Sequence, residues 1–322
     1  ALHISGPGNA IISGGVATGN SAASEGGAFW NSTGAMTLES ITIDGNIAEG
    51  ADADNGGGGI FNNGGGLTLL NNIVISNNQA TGASGSGGGI LSIAGDVSVT
   101  NSVLEANAAN RAGGAIEIID GTLAIIRTDM INNDVDGTAG TANPGNGGAL
   151  HVTGNGSTID ISESTIDGNS AANEGGGLWN QGGSTMTVLT STISRNSAVE
   201  GGGIYNNVDA ITTVSRSTIS NNDASGNGGG ITNDGVALDL DAVTIGANTA
   251  GGTGGGIQSN TITRLKNTIV ALNTAGSGTD VSGTFESDNY NLIGTDDEDA
   301  FPEMANDIEE TDPMLGPLQD NG

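Results

Sequence analysis

Hydrophobic residues along this chain come in short alternating blocks rather than in long or helical runs. Met36-Thr-Leu38, Val97-Ser-Val99, Leu123-Ala-Ile125, Met186-Thr-Val188 and Leu238-Asp-Leu240 each place two aliphatic side chains on one face of an extended segment. Stretches such as MTLESITI and LTLLNNIVI join two such pieces. Period-two alternation over so few residues predicts short strands with one buried face, and the i, i+3, i+4 signature of an amphipathic helix is missing.

The blocks repeat. An aliphatic or aromatic residue follows each glycine run at Phe29, Ile60, Ile90, Ile116, Leu150, Leu178, Ile204, Ile231 and Ile257, spaced 31, 30, 26, 34, 28, 26, 27 and 26 residues apart. A second marker is an Asn three residues after an apolar side chain: Asn46, Asn78, Asn107, Asn133, Asn169, Asn196, Asn222, Asn248 and Asn273. From glycine marker to Asn the separation is always 16 to 19 residues, whereas from Asn to the next glycine marker it runs from 8 to 17. Insertions therefore collect at one corner, as surface loops do in stacked repeats. Together these patterns predict an all-β fold, a single-stranded right-handed parallel β-helix of about 10–11 coils of 26–28 residues with about three strands per coil. At ~4.8 Å per coil such a rod is roughly 50 Å long. Residues 1–275 carry the repeats, and 276–322 form an acidic C-terminal coil that caps the rod or serves in assembly.

The two markers have structural roles in such a helix. Glycine at a corner adopts positive φ and lets backbones approach. The nine Asn are expected to adopt the left-handed conformation and to stack their amides coil upon coil as a ladder.

Composition narrows the function. The chain has 59 Gly in 322 residues, without a collagen period, and a net charge of −30 from 36 acids against six Lys and Arg. Such a surface repels nucleic acid and anionic lipid. There is no Cys, hence no disulfide framework, and no apolar run approaches the roughly 18 residues of a membrane-spanning helix. The chain opens on Ala1 rather than Met, which suits a processed or trimmed N-terminus.

Candidate chemistry sits in the longer corner loops. One contains ADADNGGGG with Asp52 and Asp54; the other opens Asn132-x-Asp134-x-Asp136-Gly137, like the start of an oxygen-ligand calcium loop, although its twelfth position is Asn143 rather than Glu. No cofactor is required, and Ca²⁺ is the cation these residues suit. A phosphate loop is excluded because the single Lys, Lys266, has no glycine beside it. A polysaccharide lyase or hydrolase needs converging cations or paired carboxylates on adjacent coils. The candidates, Asp160 with Glu163 and Asp239 with Asp241, read as solvated strand faces, Arg111, Arg127, Arg195, Arg216 and Arg264 are scattered, and His3 and His151 stand alone. Thr165, Thr192, Thr218 and Thr244 share one column, as in ice-binding β-helices, but their partner column is Asp167, Ser194, Ser220 and Gly246. Phe29, Trp30, Phe61, Trp179 and Tyr205 lie at or just after the glycine marker and read as corner packing.

GG[GA]-Φ followed by Φ-x-x-N resembles the repeat of chlamydial polymorphic outer-membrane proteins. The ending NTIVALNTAGSGTDVSGTFESDNYNLIG with TDPMLGPLQDNG is similar to the last coils of secreted bacterial pectin-lyase-like β-helix proteins of the choice-of-anchor Q type. The resemblance implies an exported, surface-associated solenoid and supplies no catalytic residues. Residues 267–322 hold 13 acids and no Lys or Arg, so a cation, the rod itself or a neighbouring molecule must hold them in place. The first coil has no capping helix, and an open coil invites association. The expectation is a non-enzymatic extracellular structural or adhesive protein, secreted to the bacterial cell surface. It would bind itself end to end in a head-to-tail fibre, or a cell-surface glycan or protein, and neither insert into a membrane nor bind nucleic acid. Polysaccharide cleavage and ice binding are the alternatives.

Overall fold

The computed structural model describes residues 1–136, 145–302 and 304–316 and forms an all-β parallel solenoid of about 11 turns. Each typical coil has four strands rather than three. In one coil these are Leu178–Asn180, Thr185–Leu189, Thr192–Ser194 and Ser197–Ala198. They pair in parallel register with Ile204–Asn206, Ile211–Ser215, Thr218–Ser220 and Asp223–Ala224 of the next coil. The first two strands of every coil belong to one sheet system, because Ile257–Lys266 runs through both, and the third and fourth build sheets of 12 and 9 strands. The unexpected fourth strand is two residues long and buries a single small side chain, such as Ala48, Ala80, Ala109, Ala224 or Ala250. It has no alternation to betray it.

The core is a stack of identical layers. Ile60, Ile90, Ile116, Leu150, Leu178, Ile204, Ile231 and Ile257 are fully buried, joined by the alternating aliphatics of the five-residue strands such as Leu38, Leu69, Val99, Ile125 and Val188. Each layer excludes water only against its neighbours, so stability accrues coil by coil.

The glycine run is explained by that stacking. The first glycine turns the chain in the left-handed region, with φ of 65° at Gly175 and 63° at Gly201. The second must lack a Cβ: on Gly176 it would lie 2.4 Å from the Gly202 carbonyl oxygen and 2.5 Å from that of Ser197. The third admits alanine, and Ala28, Ala115 and Ala149 fill it while fully buried. At the Asn corner one expectation is corrected. The left-handed residue is the one before the ladder Asn, with φ of 54° at Asn77, 53° at Asn132, 54° at Arg195 and 56° at Asn221. The ladder Asn lies outside that region and thereby aims both its backbone N–H and its side-chain amide along the rod axis.

In the last strand of the first sheet the glycine rule lapses. The sequence there is Gly278-Thr279-Asp280-Val281, and among the described residues no further coil lies beyond it for a side chain to strike. The acidic residues that follow pack back on the rod. Phe301 is buried against Phe285 with ring centroids 6.0 Å apart, and Leu292–Ile293 and Ile308–Glu309 extend the 12-stranded sheet. Asp296 accepts the backbone N–H groups of Ala300 and Phe301 at 2.9 and 2.8 Å, and Asp297 accepts that of Thr279 at 2.9 Å. Asp297 thus satisfies a donor that ends with the last coil, and Asp296 closes a turn within the segment itself. At the opposite end Ile11 and Val16 of the first coil are exposed.

Candidate functional site

Two polar files run through the rod. Asn46 donates from its backbone N–H at 3.0 Å and from Nδ2 at 2.8 Å to Oδ1 of Asn78. The same pair of bonds links Asn78, Asn107, Asn133, Asn169, Asn196, Asn222, Asn248 and Asn273 in turn. The remaining amide hydrogen goes to a backbone carbonyl of the coil before, as from Asn78 to Ile43 at 2.8 Å. Asn20 adds a rung ahead of the nine. At the other end Asn273 donates to Asp280 Oδ1 at 2.9 and 2.8 Å, while Asp280 Oδ2 accepts the Thr295 N–H at 2.7 Å. A second file uses hydroxyls: Thr128, Ser164 and Ser191 donate N–H groups to the Oγ atoms of Ser164, Ser191 and Ser217. It breaks at Val243, which has no hydroxyl, and resumes where Val243 N–H donates to Thr268 and Thr268 N–H to Asn291, which donates to Asp307 Oδ1. Both files end on a carboxylate because an acceptor-only group closes a chain of donors without needing one itself. Burial pushes the Asp280 carboxyl above its usual range despite these bonds.

Outside the core, two facing columns line the corner ahead of the glycine run. One holds the residues just after the marker: His3, Trp30, Phe61, Leu91, Glu117, His151, Trp179, Tyr205, Thr232 and Gln258, stacked in register. The other, four residues before the marker, holds Gly56, Ser86, Ala112, Asn146, Glu174 and Glu200. The columns clasp each other within a coil. Trp30 Nε1 donates to Glu25 Oε2 at 3.0 Å, and Trp179 Nε1 donates to Glu174 Oε2 at 2.9 Å. His3 stacks on Trp30 at 4.2 Å and His151 on Trp179 at 4.3 Å. The aromatics are thus corner packing, as the sequence suggests.

Three carboxylates gather where this clasp meets the outer surface. Glu174 and Glu200 occupy one column on adjacent coils. Asp234 accepts from the Tyr205 hydroxyl at 2.5 Å and from Asn260 Nδ2 at 2.6 Å. Burial lifts the Glu174 and Glu200 carboxyls above the usual range, and the charge of Asp234 adds to both. Burial, with the bond to Asp234, pushes the Tyr205 hydroxyl up, so it stays a donor. Glu174 and Glu200 are the pair on adjacent coils that a hydrolase would need, and sequence reasoning overlooked them. Aligning the residue four before each glycine marker reveals them.

Two coils earlier the same columns hold a buried ion cluster. Arg111 donates from Nη2 to Glu117 Oε1 at 2.5 Å and from Nε to Ser86 at 2.9 Å, and His151 Nδ1 lies 3.1 Å from the same carboxylate oxygen. Burial alone would raise Glu117, but Arg111 and His151 hold it below its usual range; burial also lowers His151. The arrangement is a neutral imidazole donating to an ionised carboxylate. With His151 at 1% and Glu117 at 0% exposure, no substrate reaches them.

The remaining sequence candidates are dispersed. Asp52 and Asp54 lie exposed in a turn closed by the Asn55 N–H on the Asp52 carbonyl at 3.0 Å. Asn132 is the left-handed corner residue before Asn133, and Asp134 opens the strand Asp134–Val135. Burial raises the Asp134 carboxyl, and the neighbouring Asp136 raises it further. Gly137 and Asn143 lie outside the described residues. Among the described residues no three His, Asp or Glu side chains are placed to hold a metal ion together. Thr165, Thr192, Thr218 and Thr244 stack in register, but Asp167, Ser194 and Ser220 beside them are buried, Ser194 donating to Asp167 at 2.6 Å. Arg195 pairs with Asp167, and Arg264 with Glu286 and Asp239.

The fold defines the class, a parallel β-solenoid repeat protein. No family model, curated protein or solved structure matches the chain.

Proposed function

We propose that this chain is a non-catalytic extracellular rod that provides structural and adhesive contacts at a bacterial surface. The observation that supports it is the unbroken amide ladder from Asn20 to Asn273, closed by Asp280. The recurring polar residues of the repeat are engaged in holding coil to coil, and a protein whose polar groups serve rigidity presents ligands with its side faces. Head-to-tail assembly would require the segment around Phe301 to leave the last coil, so lateral contacts need the least rearrangement. Calcium at Asp52 and Asp54, or at Asn132, Asp134 and Asp136, belongs to this proposal as a surface ligand that bridges acidic partners; isothermal titration with CaCl₂ tests it.

The carboxylates Glu174 and Glu200 favour a second reading, hydrolysis of a polysaccharide with one acting as acid and the other as base or nucleophile. One experiment separates the two. The purified chain and Glu174→Gln/Glu200→Gln are incubated with neutral and acidic polysaccharides, and reducing ends are measured alongside binding to bacterial and host cells. The scaffold reading predicts cell binding and no turnover. Turnover lost in the double variant overturns it in favour of the enzyme.

A further inference from the structure

Between Thr18 and Thr268, the large apolar side chains left exposed are Val199, Val208, Ile211, Val236 and Ile262, all on the later coils. Four of them lie at one corner of three successive coils, between the first and second strands. Ile211 pairs with Ala237, the neighbour of Val236, and Leu238 pairs with Thr263, which sets Ile262 beside the same column. Val236 donates its N–H to the Ala210 carbonyl, and Val208 lies over Gly182, whose Cβ would meet the Val208 carbonyl oxygen at 2.3 Å. On the preceding coils the column of Ile211 reads Asp96, Thr122, Thr158 and Thr185. The repeat thus turns apolar at this edge, where nothing in the stacking of coils calls for it. An isolated exposed aliphatic residue is ordinary, but a contiguous set where the repeat elsewhere is polar marks a contact surface.

The rim decides what the surface takes. Asp209 follows Val208 directly, and Asp234 lies two residues before Val236. Among the described residues neither Asp209 nor Asp234 has an ion-pair partner, Asp234 accepting only neutral donors from Tyr205 and Asn260, whereas Asp239 is already paired with Arg264. A second copy would bring another chain of net charge −30 against this rim. A neutral glycan stacks on aromatic faces, and Trp179 and Tyr205 nearby are buried. A segment that is both cationic and apolar satisfies both features.

We propose that Val208, Ile211, Val236 and Ile262 form the docking surface for a basic segment of a partner protein, with its apolar side chains on the aliphatic patch and its Lys or Arg side chains over Asp209 and Asp234. The inference rests on the adhesive reading above and names its partner class. The probe is a fluorescein-labelled twelve-residue peptide alternating Lys with Val and Ile, followed by anisotropy against the whole chain; a control peptide carries Ser in place of each Val and Ile. The wild type binds the probe, and Ile211→Asn/Val236→Asn weakens it by about 10-fold or more, as loss of two central apolar contacts does. Asp209→Asn/Asp234→Asn weakens it several-fold and lessens its salt dependence. Val208→Asn, at a 59% exposed position, gives the same direction with little risk to folding. Equal affinity of wild type and the Ile211/Val236 variant, equal binding of probe and control, or no binding of the probe overturns the proposal. A wild-type dimer in sedimentation velocity that the double substitution dissociates would make a second copy the occupant, which also overturns it. Cell binding measured in parallel separates this from the parent reading: probe binding without cell binding defeats the adhesive reading alone, and cell binding without probe binding defeats this inference alone.

Discussion

Replacing Asp280 by alanine removes the group on which the amide ladder ends. The carboxylate accepts the Asn273 N–H at 2.9 Å, Asn273 Nδ2 at 2.8 Å and the Thr295 N–H at 2.7 Å, and the residue is 1% exposed. Alanine leaves three buried donors without acceptors. An unsatisfied buried donor costs about 1–3 kcal/mol, and the site lies near the rod end where water can enter, so the lower limit applies and the loss is about 3 kcal/mol. Asparagine behaves differently. Its carbonyl still accepts from Asn273, its amide opposes the Thr295 N–H, and the buried charge disappears, so D280N costs about 1 kcal/mol. Because coils couple only to neighbours, the loss is felt locally, as opening of the terminal segment. Backbone hydrogen exchange read residue by residue is the assay. Three kcal/mol corresponds to roughly 100-fold faster exchange at Asn273 and Thr295 in D280A, with Asn133 and Asn169 unchanged. Less than a threefold change at Asn273 and Thr295 would refute the reasoning that the carboxylate terminates the ladder.

Three further predictions follow from the same geometry. Gly176→Ala destabilises by more than about 2 kcal/mol because its methyl group meets two backbone oxygens at 2.4 and 2.5 Å, whereas Gly177→Ala, which meets one at 2.7 Å in a position where Ala28, Ala115 and Ala149 occur, costs clearly less in urea denaturation. Arg111→Met strands the buried Glu117 carboxylate and costs about 3 kcal/mol, while Arg111→Met/Glu117→Leu recovers most of it; a double variant no more stable than the single one contradicts this. The carboxyls of Glu174 and Glu200 are raised in the folded chain, so their ionisation opposes folding at pH 7, and that penalty fades as pH falls through the raised values and is gone below the unfolded value of 4.5. Glu174→Gln/Glu200→Gln is therefore more stable than wild type at pH 7 in thermal melts, and the difference vanishes toward pH 4. A difference that grows as pH falls would reverse the sign of the argument.

The fold is legible in the chain because stacking imposes sterics on every coil. The second glycine of each run faces a carbonyl of the next coil, and the ladder Asn faces its copy, so both must recur and both could be found by counting. Strand number was harder to read, since two-residue strands such as Ile47–Ala48 and Asp223–Ala224 bury one small side chain and leave no periodic trace. The left-handed corner residue was misplaced by one position because Asn77, Ala106, Asn132 and Arg195 share a backbone conformation but no side-chain type. Features that break the repeat were the least visible. Glu174 and Glu200 belong to a column that elsewhere holds Gly, Ser, Ala and Asn, and it emerges only when coils are aligned on the glycine marker. The acidic C-terminal residues gave their charge away but not their use, because Asp297 and Asp307 accept from Thr279 and Asn291, 18 and 16 residues before them, and no local pattern marks such pairs.

The central claim is that the recurring Asn side chains bind coil to coil and are not displayed to ligands. Side-chain amide hydrogen exchange by NMR tests it most directly, because the two Nδ2 hydrogens of Asn107, Asn133, Asn169, Asn196 and Asn222 are both engaged, one on an Asn side-chain oxygen and the other on a backbone carbonyl. The account predicts that these amides exchange at least about 1,000-fold more slowly than an exposed Asn amide, in line with protection inside cooperative core structure. Exchange at the rate of exposed amides would contradict it and return the Asn file to the list of surfaces open to a ligand.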